Sequence, residues 1–135
     1  MRNTIYATLI ALGTLVVPHV ALAIGKCGSG PRATCVVDGD TFWFEGEKVR
    51  AMGYDTPEPM TNLCGGSREK QLADLATQRF VELFNTSRIT MERRGRDRYG
   101  RTLAIIRADG DLVADILISE GLARRYPDGR EFWCY

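Results

Sequence analysis

The chain has one histidine, His19, and none at all from Ile24 to Tyr135. Beyond residue 23 this excludes Ser-His and Cys-His nucleophile pairs, histidine bases and histidine-ligated zinc. Cysteine is sparse as well. The 4 cysteines (Cys27, Cys35, Cys64, Cys134) include no C-x2-C pair, which argues against a four-thiolate zinc site. Neither sign of charge is in excess, because 18 basic and 17 acidic residues leave a net +1. Bulk electrostatics therefore name no polyanionic partner. Any metal chemistry falls to oxygen ligands.

The one long apolar run is N-terminal. Arg2, a mostly apolar stretch from Ile5 to Val17 and the A-x-A site Ala21-Leu22-Ala23 read as a secretory signal over residues 1–23. A membrane anchor is the alternative, since Ile5 to Ile24 carries no charge and is about long enough to span. Thr8, Gly13, Thr14, Pro18 and His19 dilute that run and favour cleavage. Lys26 stands where a lipid anchor on Cys27 would need a small residue. The expected mature chain, residues 24–135, is a single secreted or periplasmic domain, monomeric and with no membrane association after cleavage. An even number of cysteines in an exported protein makes disulfides the default. Three pairings exist. Cys64 with Cys134 would hold the tail against the middle of the chain. That leaves Cys27 with Cys35, which requires Gly28, Gly30 and Pro31 to turn the chain back. Were Ile24 to Cys35 one extended strand, the two would lie about 26 Å apart and could not bond.

What is present in concentration is acid around a β-pattern. Asp38 to Glu58 reads DGDTFWFEGEKVRAMGYDTPE, with Asp38, Asp40, Asp55 and Glu58 at its ends and Arg50 between them. Thr41 to Phe44 is β-prone, Glu45-Gly46-Glu47 supplies a turn, and Lys48 to Met52 runs extended again. A hairpin brings Asp40 beside Asp55, and two adjacent carboxylates call for a proton or a cation between them. Asp38 is read as a turn-stabilising carboxylate. A second concentration is arginine: Arg88, Arg93, Arg94, Arg96, Arg98 and Arg101 fall close together, opposed by Glu92 and Asp97. Arginine forks suit phosphate, although a solvated basic loop has the same composition.

Elsewhere, Ala33 to Val37 is a strand candidate. Ser67 to Phe84 is the clearest helix, capped by Ser67, with Leu72, Leu75, Ala76, Phe80 and Leu83 as its apolar stripe and Glu69 on its wet side. Ile89 to Arg93 and Leu103 to Ala108 read as strands around a polar loop, Arg94 to Gly100. Asp109-Gly110 is a turn. Val113 to Glu120 is a short helix stopped by Gly121. Five short strands with a long helix after the third and a short second helix predict an α+β chain, mainly β, of the OB-fold barrel type.

Three separated motifs, V-D-G-D-T at Val37–Thr41, R-x4-D-T-P-E at Arg50–Glu58 and D-R-Y-G-R at Asp97–Arg101, resemble the staphylococcal nuclease family. The resemblance covers roughly Val36 to Ala123. It implies an OB-fold nuclease that cuts DNA or RNA with one Ca²⁺ and leaves 3′-phosphate ends. It further implies Asp40, Asp55 and Thr56 as metal ligands, Glu58 as general base, Arg50 and Arg101 as phosphate-gripping catalytic arginines, and Arg98 and Tyr99 beside a second phosphate or nucleotide. The chain departs from the family pattern at Pro59 to Gly66, which lacks a lysine-rich loop, and in having no longer C-terminal helix. A non-catalytic OB module binding single-stranded nucleic acid is the competing expectation, and an oligosaccharide-binding barrel using Trp43 and Trp133 is a third. The first gains nothing from Glu58, and the second leaves Asp40, Asp55 and Arg101 unexplained.

Overall fold

The computed structural model describes residues 23–135, so the signal read at residues 1–23 lies outside the described residues except for Ala23. In chain order the elements are β1 (Cys35–Val36), β2 (Thr41–Phe44), β3 (Glu47–Ala51), β4 (Tyr54–Asp55), α1 (Gly66–Thr86), β5 (Ile89–Arg96), β6 (Thr102–Ala108), β7 (Asp111–Leu112), α2 (Val113–Ser119) and β8 (Arg124–Arg125). A single 3₁₀ turn, Phe132–Cys134, follows. The architecture is α+β. No helix among the described residues is long and apolar enough to cross a membrane.

The predicted hairpin forms as read. Thr41 pairs with Arg50, Phe42 with Val49 and Phe44 with Glu47. Its turn places Glu45 at φ 49° and Gly46 at φ 81°. Two successive left-handed residues give the tight connection whose twist matches the strands it joins. The main sheet runs β1-β2-β3-β6-β5, with β7 on β6, and a second small sheet pairs β4 with β8. The β3–β6 pair is parallel and sets Arg50 opposite Leu103. Among the described residues no ladder joins β1 to β5.

Alternation divides the sheet into two faces. Phe42, Val49, Ala51, Ala104 and Ile106 point into the core and are buried, where they meet Phe80 and Leu83 of α1 and Leu117 of α2. Phe42, Phe80 and Phe84 meet edge to face, with centroids 4.9 to 5.7 Å apart. Burying each such ring contributes roughly 2–3 kcal/mol. The opposite face presents Trp43, Lys48, Arg50 and Leu103.

Several expectations need correction. Among the described residues the five expected strands are joined by three more, the two-residue β4, β7 and β8, which carry no periodicity to read. The first strand spans only Cys35–Val36. The fifth extends to Arg96 through a bulge between Arg93 and Arg96, into what read as loop. Ser67 does not cap α1. The helix starts after Gly65, with no side-chain cap bond, because that end packs against the tail; a Cβ at Gly65 would collide with the Trp133 carbonyl. Leu75 is exposed, and Ala73 and Thr77 take the buried positions beside Ala76. Glu69 is not on the wet side but buried. Both cysteine pairings are as expected, Cys27 with Cys35 and Cys64 with Cys134, each with 4.9 Å between Cα atoms. Lys26 makes a parallel bridge with Val36, so the chain loops round between them and brings Cys27 to Cys35.

Candidate active site

The site is assembled where the chain enters and leaves the hairpin. At entry, the Asp38 carboxylate accepts the Asp40 amide at 3.2 Å, the turn-stabilising contact expected of it. Gly39 between them is packed against α1. A Cβ there would lie 2.6 Å from Thr56 Cγ2 and 2.9 Å from Ala76 Cβ, so glycine is required by close approach. The fully buried Tyr54 hydroxyl donates to the Gly39 carbonyl at 2.8 Å and ties the exit of the hairpin to its entry. Burial, reinforced by Asp40, holds that phenol well above its ordinary pKa, so it remains a donor.

Asp40 and Asp55 converge as the hairpin argument requires, on one guanidinium. Arg50 Nη1 pairs with Asp40 Oδ1, and Arg50 Nη2 meets Asp55 Oδ1 at 3.1 Å. The other Asp40 oxygen accepts the Thr56 amide at 3.1 Å and the Thr56 hydroxyl at 3.2 Å. Thr56 thus reaches the centre as a donor to Asp40. Burial works against the Arg50 charge, but Asp40 and then Asp55 more than offset it and raise the Arg50 pKa.

Negative charge nevertheless exceeds positive here. Asp38 is pushed up to about 7, chiefly by burial and then by Asp40. Glu58 is also raised, by burial first and then by Asp40 and Asp55. Burial disfavours the charged form of each, and the neighbouring carboxylates add to that effect. Two oxygens already converge on one cationic group in an over-acidic pocket of hard donors. That donor set fits a divalent, oxygen-preferring ion such as Ca²⁺ at Asp40 and Asp55.

Two residues that the sequence reading missed complete the centre. Arg124 on β8 grips the second Asp55 oxygen through Nε at 3.0 Å and Nη2 at 2.9 Å, because β4 and β8 pair Asp55 with Arg124. Its remaining donors hold the Gly129 carbonyl and Glu131. Glu69, in the first turn of α1, accepts the Glu58 amide at 3.2 Å and the Gly65 amide at 3.0 Å. It therefore fixes the backbone that carries Glu58. An acid in a first helical turn is ordinary, so nothing local marked Glu69. Arg124 could be found only from the pairing of two dipeptides far apart in sequence.

Arg50 opens onto a groove of about 480 Å³ shared with Asp97, Arg98, Tyr99, Arg101 and Tyr126. Arg101 is oriented there by Asp97, Nε to Oδ2 at 2.7 Å, while its amide binds the other Asp97 oxygen at 2.9 Å. Arg98 donates to the Tyr99 hydroxyl at 2.6 Å, and the Arg98 and Arg101 guanidinium groups lie 4.8 and 5.5 Å from the Tyr99 ring centre. Glu58 lines a neighbouring pocket with Asp55, Thr56 and Glu69. All eight chemical positions read from the sequence (Asp40, Arg50, Asp55, Thr56, Glu58, Arg98, Tyr99, Arg101) thus lie in one contiguous region.

A family model described as Staphylococcal nuclease homologue matches residues 48–131. Over 96 residues the chain is 38% identical to Endonuclease YncB of Bacillus subtilis (strain 168), covering 65% of this chain and 44% of that protein. It is 32% identical over 106 residues to Thermonuclease of Staphylococcus intermedius, covering 72% and 61%. SPbeta prophage-derived endonuclease YokF of Bacillus subtilis (strain 168) is 38% identical over 96 residues, covering 65% and 31%. The matched regions thus span between 31% and 61% of these relatives' lengths.

Proposed function

The chain belongs to the family of staphylococcal nuclease homologues, and from that premise we propose that it is a secreted, calcium-dependent endonuclease. It hydrolyses phosphodiester bonds of DNA, RNA or both and leaves 3′-phosphate ends. The observation that carries the reading is the convergence of Asp40 and Asp55 on one cationic group, with Glu58 alongside and Arg50 facing the Arg101 groove.

In this reading Asp40, Asp55 and the Thr56 backbone carbonyl would hold one Ca²⁺. When bound, the ion supplies Lewis-acid polarisation of a phosphate oxygen. Glu58 takes the proton from the attacking water, and its raised pKa suits a base that must hold that proton transiently. Arg50 exchanges its carboxylate partners for phosphate oxygens. Arg101, already aimed by Asp97, supplies a second fork, and the pair stabilises charge developing on the equatorial oxygens. Arg98 and Tyr99 contact the adjoining nucleotide. Arg124 and Glu69 keep Asp55 and Glu58 in register while Arg50 moves. The path β1-β2-β3-β6-β5 supports an OB-fold barrel as the scaffold. Residues 1–23 act as the export signal.

Plasmid DNA incubated with the protein and Ca²⁺, then with a chelator, tests the proposal. Fragmentation with calcium, its arrest by the chelator and 3′-phosphate termini are expected. Retardation without cutting under any divalent ion would overturn it in favour of a binding module.

A further inference from the structure

The arginines of β5 and its loop differ in what they are free to do. Arg93 pairs with Glu47, Arg94 with Glu92 and Arg101 with Asp97. Among the described residues, Arg96, Arg98 and the nearby Lys48 make no ion pair. Arg98 faces the groove described above. Arg96 and Lys48 line a second one, of about 460 Å³, together with Trp43, Glu45, Glu47 and Gly100. The Asp97–Arg101 loop separates the two grooves, with Gly100 on one and Arg98, Tyr99 and Arg101 on the other. They are successive stations around one loop.

The sheet supplies the same alignment. Trp43 pairs with Lys48 and Thr41 with Arg50, and residues two apart on a strand share a face. Trp43 and Lys48 therefore stand one step along from Arg50 on its own face. Trp43 is half-buried, and its Nε1–H is shielded from solvent without an acceptor among the described residues. The Glu47 carboxylate is held by Arg93 and by the Thr102 hydroxyl, so Lys48 and Arg96 face only Glu45 uncompensated.

We propose that this groove is a second nucleic-acid subsite, taking a nucleotide that flanks the scissile phosphate of a single strand. A base lies against Trp43, and the phosphate beside it is held between Lys48 and Arg96. An aromatic platform next to unpaired cations is the chemistry that binds single strands without reading sequence. The placement of the scissile phosphate rests on the nuclease reading, but binding at the subsite does not require cleavage.

The test is fluorescence anisotropy of the full chain in chelator, with labelled oligothymidylates of two and eight nucleotides. Wild type should bind the octamer more tightly. Lys48→Gln with Arg96→Gln, two surface changes remote from the core, should weaken octamer binding by about tenfold and leave the dinucleotide unchanged. The slope of log affinity against log salt should fall by about 0.7 per cation removed. Trp43→Leu should cost about tenfold on the octamer alone. Equal losses on both lengths, or none on either, would overturn the subsite. A wild-type protein that fails to cut DNA yet keeps this length dependence would remove the nuclease reading and leave the subsite standing.

Discussion

Two regions of this molecule are dense in charge, and they are built in opposite ways. Around Arg50 the acids are drawn inward. Asp40 is buried, the Arg50 side chain is only 16% exposed, and two carboxylates are raised above their usual range. Along β5 the arginines point outward, with the Arg93 and Arg94 side chains 50% and 51% exposed and each paired to a neighbouring glutamate. The sequence makes both look alike, as clusters of one sign. Burial separates them. A charge in solvent can be lost at little cost, whereas one in the acidic pocket cannot be removed without stranding its partners.

The sharpest break in that contrast is Arg50→Ala. It leaves Asp40 and Asp55 facing each other, and chemical denaturation in chelator should show a loss of about 3–5 kcal/mol. Calcium should restore much of that loss, and calorimetry should show tighter Ca²⁺ binding than in wild type, because a competing cation has gone. Cleavage should nevertheless fall, since the phosphate loses its fork. Opening the Cys64–Cys134 bridge with a double serine variant should cost about 2–5 kcal/mol in the same assay, because the 70-residue separation closes a long loop. Arg101→Lys keeps the charge but not the planar pair of donors. Its turnover should fall roughly tenfold or more, with the melting temperature unchanged. At the other end of the scale, Arg93→Gln with Arg94→Gln should leave the melting temperature at the wild-type value. A clear drop there would erase the distinction between the two regions.

How far the sequence could be read follows the same division. The hairpin was legible because Thr41 to Met52 alternates around a Glu-Gly turn, and that alone brought Asp40 to Asp55. The long helix was legible as an element but not in detail. Ala73 and Thr77 are buried where Leu75 is exposed, and periodicity weighs such small residues lightly. Glu69 and Arg124 were hidden for a different reason. Each acts through a contact distant in the chain, Glu69 on the Glu58 amide and Arg124 across a two-residue strand pair, and neither leaves a local pattern. The residues proposed to face the chemistry formed motifs, while Glu69 and Arg124, which hold their neighbours in place, did not.

The measurement that bears most directly on the central claim is single-turnover cleavage of single-stranded DNA by Glu58→Gln with saturating Ca²⁺, beside its calcium affinity and melting temperature. The substitution removes a proton acceptor and keeps the side-chain shape. The rate should drop by roughly 10²–10⁴, with calcium binding and stability close to wild type. A variant that cuts at the wild-type rate would show that the acidic pocket does not activate water through Glu58, and the mechanism proposed for this site would be wrong.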